Sequence, residues 1–477
     1  MSAAAAPFQF AHRIEFLPEA SDALLRQLPA APGVFSLRGE SAGGQAIAEP
    51  YLTRAADLRR RLRRLLAPPE QLDAHGQPVP SKRLNLRNRV RFIEYTRTGS
   101  EFESTLLLYH AAHSAFGADE ARRRLRLHPP YFLRVTMAAP HPRVYSTNRL
   151  SKRSLAEFFG PFPSRAAADR YCDAVLDLFK LRRCYEDLTP YPEHPGCIYG
   201  DIGKCLMPCK EGNPAACTPA EYAAEAQRVL AFFRTRGQSL LDEVATQREA
   251  ASDALDFETA AALHKHWEKV RAAALLADEL IRPVPELRAV ILQQTLGGPF
   301  MAQSHRDMSG EPQHSERHDS AAVFLLADGH LTGPAYLSTL GVRAVREQTA
   351  VGSSLFAQPL MLAPVPLEDT APANTPEDRA RAALDHLAAL AATPAPLDEL
   401  CDALSLFRRW YYRPEKQRTG EVFLPTPEGA WPIRRILNGA ARLVLGPPTE
   451  APPVDRDAYR QATGTQTGDW KLETGSS

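Results

Sequence analysis

The chain of 477 residues is 44% hydrophobic and 24% charged, which is enough apolar material for several cores and excludes disorder throughout. The sequence has no run of about 18 apolar residues, and no basic segment followed by an apolar block at its start. We therefore expect no membrane span and no secretory signal. Seven cysteines are an odd number, which disfavours a disulfide framework and favours a reducing, cytoplasmic location.

The formal net charge of +1 conceals an uneven distribution. Residues 54–91 contain 11 Lys and Arg against three Asp and Glu, and residues 121–183 contain 14 against four. The first 180 residues therefore carry basic surfaces, and the remainder of the chain is acidic. A basic face on a folded domain is typical of binding to a phosphate backbone. The alternative is a charged face that only contacts solvent.

The N-terminal part predicts a small α/β unit. Short β-type runs at 33–37 and from 51 form a predicted hairpin, followed by a helix over 55–66. A strand over 90–98 and a helix over 100–117 complete the unit. The helix over 55–66 places its leucines on one side and its arginines on the other. The predicted DNA-binding residues on that side are Arg59, Arg60, Arg63 and Arg64.

The rest of the chain predicts further helices and strands. Thr218, Pro219 and Glu221 form the start of a helix that ends before Gly237, and residues 239–281 predict a helical hairpin broken near 253–256. The other predicted elements are a hairpin over 131–150, a helix over 164–182, strands over 288–296, 321–328 and 335–339, a linker over 364–376, and helices over 377–391 and 397–412. The runs LSLFRRWYYRP and AWPIRRIL are aromatic and basic, which indicates core packing or, alternatively, stacking on DNA.

Four cysteines lie within a segment rich in proline and glycine. Cys184, Cys197, Cys205 and Cys209 are separated by twelve, seven and three residues. Four thiolates in such a loop suit a soft metal centre. The spacing lacks the paired C-x2-C of a zinc ribbon, so an iron–sulfur cluster is at least as well supported as zinc. The alternative is a set of reduced, buried thiols.

At this point the residues resemble a known family. The runs LRRC, PGCIYGDIGKCLMPC and TPAEY are similar to the cysteine-rich region of UvrC, the C subunit of the excinuclease ABC, and the resemblance implies a [4Fe–4S] cluster on these four cysteines. The run FETAAALHKHWEKV resembles the UVR motif, a helical hairpin that binds UvrB. The implied UvrB-binding residues are Phe257, Glu258, Ala260 and Ala261. The alternative is a hairpin that packs within its own chain.

Upstream, PGVF and YLTRAADLRRRL are similar to the GIY-YIG nuclease signature. The resemblance implies catalytic roles for Tyr51, Arg54 and Arg61, and a helix-borne glutamate that holds one Mg²⁺ or Mn²⁺. Phe35 replaces the tyrosine of the first triplet. Aligning the leucines at 106–108 places Tyr109 at the metal position, or Leu108 in another alignment, and the nearest acids are Glu101 and Glu103.

We therefore predict an α+β multidomain protein with a small GIY-YIG-like α/β domain. The predicted regions are a GIY-YIG-like domain over 25–130, a cysteine-rich iron–sulfur region over 131–237, a UVR-like hairpin over 238–283, a β-rich region over 284–363, a helical region over 377–447 and a disordered tail over 448–477. The resemblance implies nucleotide excision repair, with damaged double-stranded DNA and UvrB as partners. One hypothesis is a nuclease that makes a single 3′-side incision, and the other is an inactive DNA- and UvrB-binding factor. A mobile-element nuclease would share the first domain only, and an RNA-binding iron–sulfur protein would share the charge pattern.

Overall fold

The computed structural model describes residues 8–39, 49–68, 84–214, 216–296, 319–342, 375–391 and 393–445. These residues form an α+β protein with three antiparallel sheets of four strands each. The predicted tail over 448–477 and the linker up to residue 374 lie outside the described ranges. In the described part of the chain, no helix combines the length and the apolar character needed to cross a bilayer.

The first sheet has the strand order β1-β4-β2-β3, which leaves β3 at one edge. The predicted order of strand, strand, helix, strand and helix is observed, and the structure adds β1, α1 and α4. The elements of this unit are β1 (His12–Glu15), α1 (Ser21–Gln27), β2 (Gly33–Arg38), β3 (Tyr51–Ala55), α2 (Leu58–Leu66), β4 (Phe92–Arg97), α3 (Glu101–Phe116) and α4 (Ala118–Leu125).

Helix α2 has the amphipathic character that its sequence predicts. Asp57 accepts the backbone N–H of Arg60 and caps the first turn, and Leu58, Leu62 and Leu65 are buried against the sheet. Gly33 is needed because a Cβ atom there would lie 2.5 Å from the Thr96 carbonyl oxygen and 2.7 Å from Leu58 Cδ1.

The middle sheet has the order β6-β5-β7-β8 and is covered by helices. Its elements are β5 (Tyr131–Val135), β6 (Val144–Thr147), β7 (Phe158–Phe162), α5 (Arg165–Leu176), α6 (Ile198–Asp201), α7 (Pro219–Thr235), α8 (Gln238–Asp253), α9 (Phe257–Ala274) and β8 (Arg282–Pro283). The capping box of Thr218 and Glu221 is present. Helix α5 ends at Leu176, earlier than expected from the sequence, because the apolar residues Phe179 and Leu181 are buried from a turn and not from a helix.

The hairpin of α8 and α9 does not stand apart from the middle unit. Strand β8, which follows α9, pairs with β7 through Phe159 and Pro283. At the base of the hairpin, Val244 and Val270 are buried in the core of the middle sheet. The region predicted over 238–283 therefore shares a core with the region predicted over 131–237.

The third sheet has the order β11-β10-β9-β12. Its elements are β9 (Ala289–Gln294), β10 (Ser320–Ala327), β11 (His330–Ser338), α10 (Pro376–Ala389), α11 (Leu397–Tyr411), β12 (Glu421–Phe423) and α12 (Ile433–Leu445). The sequence divides residues 284–363 from 377–447, whereas Val422 of β12 pairs with Ile291 of β9. Both regions therefore belong to one unit, and the pairing that unites them is too distant in sequence for local patterns to indicate. Residues 343–363 lie outside the described ranges.

Helix α11 packs at the junction of the three units. Its residues Phe407 and Trp410 share a core with Phe102 of α3 and Phe324 of β10. The ring of Phe102 lies 5.1 Å from that of Phe324 and 5.2 Å from that of Trp410, measured between centroids. The C-terminal end of α11 is thereby held against α3 of the first unit.

Candidate functional site

The outer side of α2 carries most of the predicted DNA-binding arginines. Arg60, Arg63 and Arg64 are exposed, because the leucines of the same helix occupy the opposite side. Arg59 is half-buried and donates its Nε proton to the carbonyl oxygen of Leu28. Three of the four arginines are therefore available to a phosphate backbone.

Tyr51 and Arg61 lie together, as the GIY-YIG resemblance requires. Arg61 Nη2 donates a hydrogen bond of 3.1 Å to the Tyr51 hydroxyl. Phe35, which stands in place of the first tyrosine, is fully buried, and its ring centroid lies 6.2 Å from that of Tyr51. The site therefore has one tyrosine hydroxyl where the signature has two.

Arg54 lies on the other face of the edge strand β3. Side chains three residues apart on a strand point to opposite faces, so Arg54 and Tyr51 diverge. Tyr51 packs on the core of the first sheet, whereas Leu52 packs on the core that contains α3. Arg54 Nη1 lies 2.7 Å from Glu101 Oε1 and donates a hydrogen bond of 3.1 Å to Thr105 Oγ1. The three predicted catalytic residues are therefore divided between the two faces.

Glu101 is also paired with an arginine from the far end of the chain. Arg413 donates to Glu101 Oε2 at 2.6 Å and to Glu101 Oε1 at 3.0 Å, in a bidentate geometry. Hydrogen bonds from Arg413, followed by those from Arg54, lower the pKa of Glu101 to about 2. The carboxylate is therefore ionised and compensated by two guanidinium groups.

Tyr109, which one of the two alignments places at the metal position, is buried and hydrogen-bonded to a carboxylate of α11. Its hydroxyl donates a hydrogen bond of 2.8 Å to Asp402, a residue that is only 4% exposed. Arg122 Nε donates to both oxygens of Asp402, at 2.8 and 2.9 Å. Burial, together with the bond to Asp402, raises the pKa of Tyr109, so its hydroxyl keeps its proton.

Glu103 closes the first turn of α3. It accepts the backbone N–H of Gly99 at 2.7 Å, while its own N–H donates to Ser100 Oγ at 3.1 Å. Burial raises the pKa of Glu103 to about 7, against the opposing effect of these backbone hydrogen bonds. Glu103 is therefore a helix cap.

The residues at these positions do not fit a magnesium or manganese ion. Mg²⁺ is held by free carboxylate oxygens, whereas Glu101 and Asp402 are each neutralised by arginine. Throughout the described ranges, no three His, Cys, Asp or Glu side chains are grouped closely enough to hold one metal ion. The arginines around Glu101 make this face more suitable for an anion than for a cation.

The four predicted cluster cysteines lie in the loop between α5 and α7. Cys205 and Cys209 are buried, Cys184 and Cys197 are half-buried, and none forms a disulfide. Burial, with smaller contributions from Cys197, Cys184 and Cys209, raises the pKa of Cys205 to about 12. In the described part of the chain, no three of these thiols form a group suited to a single ion.

Two of these sulfur atoms accept hydrogen bonds from the surrounding protein. The backbone N–H of Met207 donates to Cys205 Sγ at 3.4 Å, and Arg182 Nη1 donates to Cys184 Sγ at 3.7 Å. Arg182 is buried and is anchored on the His141 carbonyl oxygen at 3.0 Å. Thiolate donors with N–H partners are the chemistry of an iron–sulfur site, so the donor set fits such a cluster.

The tip of the α8–α9 hairpin exposes apolar side chains. Leu255 is 72% exposed and Phe257 is 66% exposed. Among the other predicted UvrB-binding residues, Glu258 and Ala261 are exposed and Ala260 is half-buried. Because the base of the hairpin is buried and its tip is not, the tip has the exposure that a protein-binding surface needs.

Arg413 and Asp402 belong to the site, although no local sequence pattern marks either of them as a site residue. The aromatic and basic run over 404–414 pointed to Arg413 only as part of a patch, and core packing accounts for most of that run. Asp402 was detectable only as an acid within the apolar pattern of a helix, where a charged residue needs a partner.

The middle unit, which contains the four cysteines, is similar to a known protein family. Residues 131–232 match the family description "UvrC/Cho excinuclease, middle domain". The chain is 28% identical to the UvrABC system protein C of Desulforudis audaxviator over 352 residues, which are 72% of this chain and 50% of the relative. It is 29% identical to the protein of that name from Haemophilus ducreyi over 255 residues, which are 52% of this chain and 38% of the relative. It is 30% identical to the Actinobacillus succinogenes protein over 257 residues, which are 53% of this chain and 38% of the relative.

The chain thus matches half or less of the length of these relatives. No solved structure is significantly similar to it. The fold and the match over 131–232 define a multidomain α+β protein with a region similar to an excinuclease middle domain. The alignment to the Desulforudis audaxviator protein, over 352 residues, extends the similarity to UvrABC system protein C beyond that region.

Proposed function

We propose that this protein acts in nucleotide excision repair, where it binds damaged double-stranded DNA and UvrB, and that its GIY-YIG-like domain binds the DNA backbone without cutting it. The names of the relatives support the repair role. The exposed arginines Arg60, Arg63 and Arg64 support binding to DNA. The main support for a lack of nuclease activity is that Glu101 and Asp402 are paired with arginines. Neither carboxylate is therefore free to bind a metal ion.

An incision assay tests this proposal directly. The full chain is incubated with UvrA, UvrB, ATP, either Mg²⁺ or Mn²⁺, and an end-labelled duplex that contains one bulky lesion, and Arg61→Ala is assayed beside it. We expect a UvrB-dependent mobility shift of the DNA without strand cleavage. A single 3′-side cut that Arg61→Ala abolishes would contradict the proposal and establish a nuclease.

That nuclease activity is the second candidate function. The hydrogen bond between Arg61 and Tyr51 supports it, because a guanidinium beside a tyrosine hydroxyl suits the activation of a nucleophile next to a phosphate. The same assay separates the two candidates, since only this one produces a shorter labelled strand.

For the UvrB contact, the proposal assigns the tip of the α8–α9 hairpin. Phe257→Ala removes an exposed apolar side chain, so we expect weaker binding to UvrB with unchanged thermal stability. Leu275→Ala is the matched control, because Leu275 is 74% exposed at the other end of α9. Equal losses in the two variants would show that the tip is not the contact.

For the cysteine loop, the proposal assigns a [4Fe–4S] cluster to Cys184, Cys197, Cys205 and Cys209. The cluster would cross-link and stabilise a loop that has little regular structure. The burial of Cys205 and Cys209 and the N–H donors to two of the four sulfur atoms support the assignment. We expect Cys205→Ser to lose iron and acid-labile sulfide after anaerobic purification, whereas Cys401→Ser, in α11, retains both. Full iron content in Cys205→Ser would contradict the ligand assignment.

A further inference from the structure

Three arginines from two distant parts of the chain meet around a single carboxylate. Arg54 belongs to β3 of the first sheet, Arg409 lies in the last turn of α11, and Arg413 follows that helix by two residues. Glu101 accepts from Arg54 at 2.7 Å and from Arg413 at 2.6 and 3.0 Å. Arg409 lines the same small pocket as Glu101 and Arg413, which places Arg409 in the same group. One carboxylate cannot balance three guanidinium groups, so the group carries excess positive charge.

The protein around the C-terminal end of α11 holds Arg409 on the helix and Arg413 just after it, where the Arg413 backbone N–H donates to the Trp410 carbonyl oxygen at 3.2 Å. Trp410, between them, is only 4% exposed and donates its indole N–H to the Thr419 carbonyl oxygen at 3.1 Å. Arg409 Nη1 donates to the Leu125 carbonyl oxygen at 2.8 Å. A binding site whose side chains are already ordered loses little entropy when its ligand arrives.

Glu101 is suited to leave this position. Its side chain is 47% exposed and lies in the first turn of α3, so the carboxylate can reach solvent without any change in the core. The guanidinium group binds carboxylate and phosphate in the same bidentate geometry. A phosphodiester can therefore take the same hydrogen bonds that Glu101 now accepts.

We propose that Arg54, Arg409 and Arg413 form a phosphate-binding site shared by the GIY-YIG-like domain and α11, in which Glu101 occupies the position of a DNA backbone phosphate until DNA displaces it. This inference rests on the proposed DNA binding and extends it to Arg409 and Arg413, which lie outside the GIY-YIG signature. Its consequence is that Glu101 weakens DNA binding by competition, and that α11 forms part of the DNA-binding surface.

The test measures the affinity of the full chain for a fluorescently labelled, lesion-containing duplex by anisotropy over a range of salt concentrations. Glu101→Gln removes the competing charge, so we expect affinity to rise by about three- to tenfold, in line with the loss of two partly exposed ion pairs. Arg413→Gln removes one phosphate contact, so we expect weaker binding and a salt slope smaller by about one. Arg381→Gln is the matched control, because Arg381 is an exposed arginine paired with Asp378.

The outcomes separate this inference from the proposed function. One variant replaces Arg60, Arg63 and Arg64 together by alanine. If this variant binds DNA more weakly, but Glu101→Gln leaves the affinity unchanged or lowers it, the shared phosphate site is wrong and the proposed DNA binding stands. If the wild-type chain does not bind the duplex, both are wrong. If Glu101→Gln fails to fold, the salt dependence of DNA binding by Arg413→Gln is the deciding measurement. A slope equal to that of the wild-type chain would contradict the shared site. Inorganic phosphate is then added as a competitor. Displacement of the duplex at low phosphate concentration would indicate a site for free phosphate, whereas no displacement would indicate a site that needs the DNA backbone.

Discussion

Replacing Asp402 by alanine is expected to destabilise the protein, because two side chains that precede it by 280 and 293 residues lose their hydrogen-bond acceptor. Asp402 on α11 accepts two hydrogen bonds from Arg122 of α4 and one from Tyr109 of α3. These bonds, together with the shared apolar core, attach α11 to α3 and α4 of the first unit. Asp402→Ala leaves the guanidinium of Arg122 and the hydroxyl of Tyr109 without this partner.

The size of the loss follows from the burial of the groups. Removing one partner of a fully buried ion pair costs about 3–5 kcal/mol, because the other charge remains unpaired. Arg122 is 26% exposed and keeps Asp119 at 3.0 Å and Asp398 at 3.3 Å. These features reduce the expected loss in the free energy of unfolding to about 2–3 kcal/mol.

Unfolding in urea, followed by tryptophan fluorescence, measures this loss, since Trp410 lies buried on the same helix. Asp398→Ala is the matched control, because Asp398 pairs with the same Arg122 but its side chain is 63% exposed. We expect this control to lose only about 0.2–1 kcal/mol. Equal losses for the two variants would refute the claim that the buried Asp402 attaches α11 to the first domain.

Three further predictions concern α3 and the first sheet. Because the pKa of Glu103 is raised to about 7 from 4.5, its protonated form favours the fold. We expect the free energy of unfolding to fall as pH rises from 4.5 to 7, and Glu103→Gln to flatten that fall; an identical pH dependence would contradict this. Tyr109→Phe, which deletes one bond to a charged group, is expected to cost about 1.5–3 kcal/mol in urea unfolding, and no loss would show that the bond is unimportant. Gly33→Ala should cost about 1–3 kcal/mol by overpacking against Thr96, whereas an unchanged midpoint would mean that β2 can shift.

Part of the candidate site could be predicted from the sequence. The hydrogen bond between Arg61 and Tyr51 spans ten residues, and a strand followed by a capped amphipathic helix brings the two side chains together. The sequence predicts that Arg54 acts with Arg61, whereas the structure places Arg54 on the other face of β3, paired with Glu101. Glu101 lies close in sequence to Glu103, and only the structure distinguishes them: one turns to the arginines and the other caps α3.

The sequence by itself determined the elements whose signals are local. The capping box at Thr218 and Glu221, the end of α3 before Gly117, and the leucine spacing of α2 each depend on residues within one or two helical turns. The tertiary structure decided the contacts between distant segments: Arg413 with Glu101 across 312 residues, Tyr109 with Asp402 across 293, and β12 with β9. Periodicity and caps report only the near neighbours of a residue, whereas these contacts depend on where separate helices and strands come to lie. For that reason, the sequence indicates a DNA-binding domain, while the pairing of its nearby carboxylates with arginines emerges only when α11 packs beside α3.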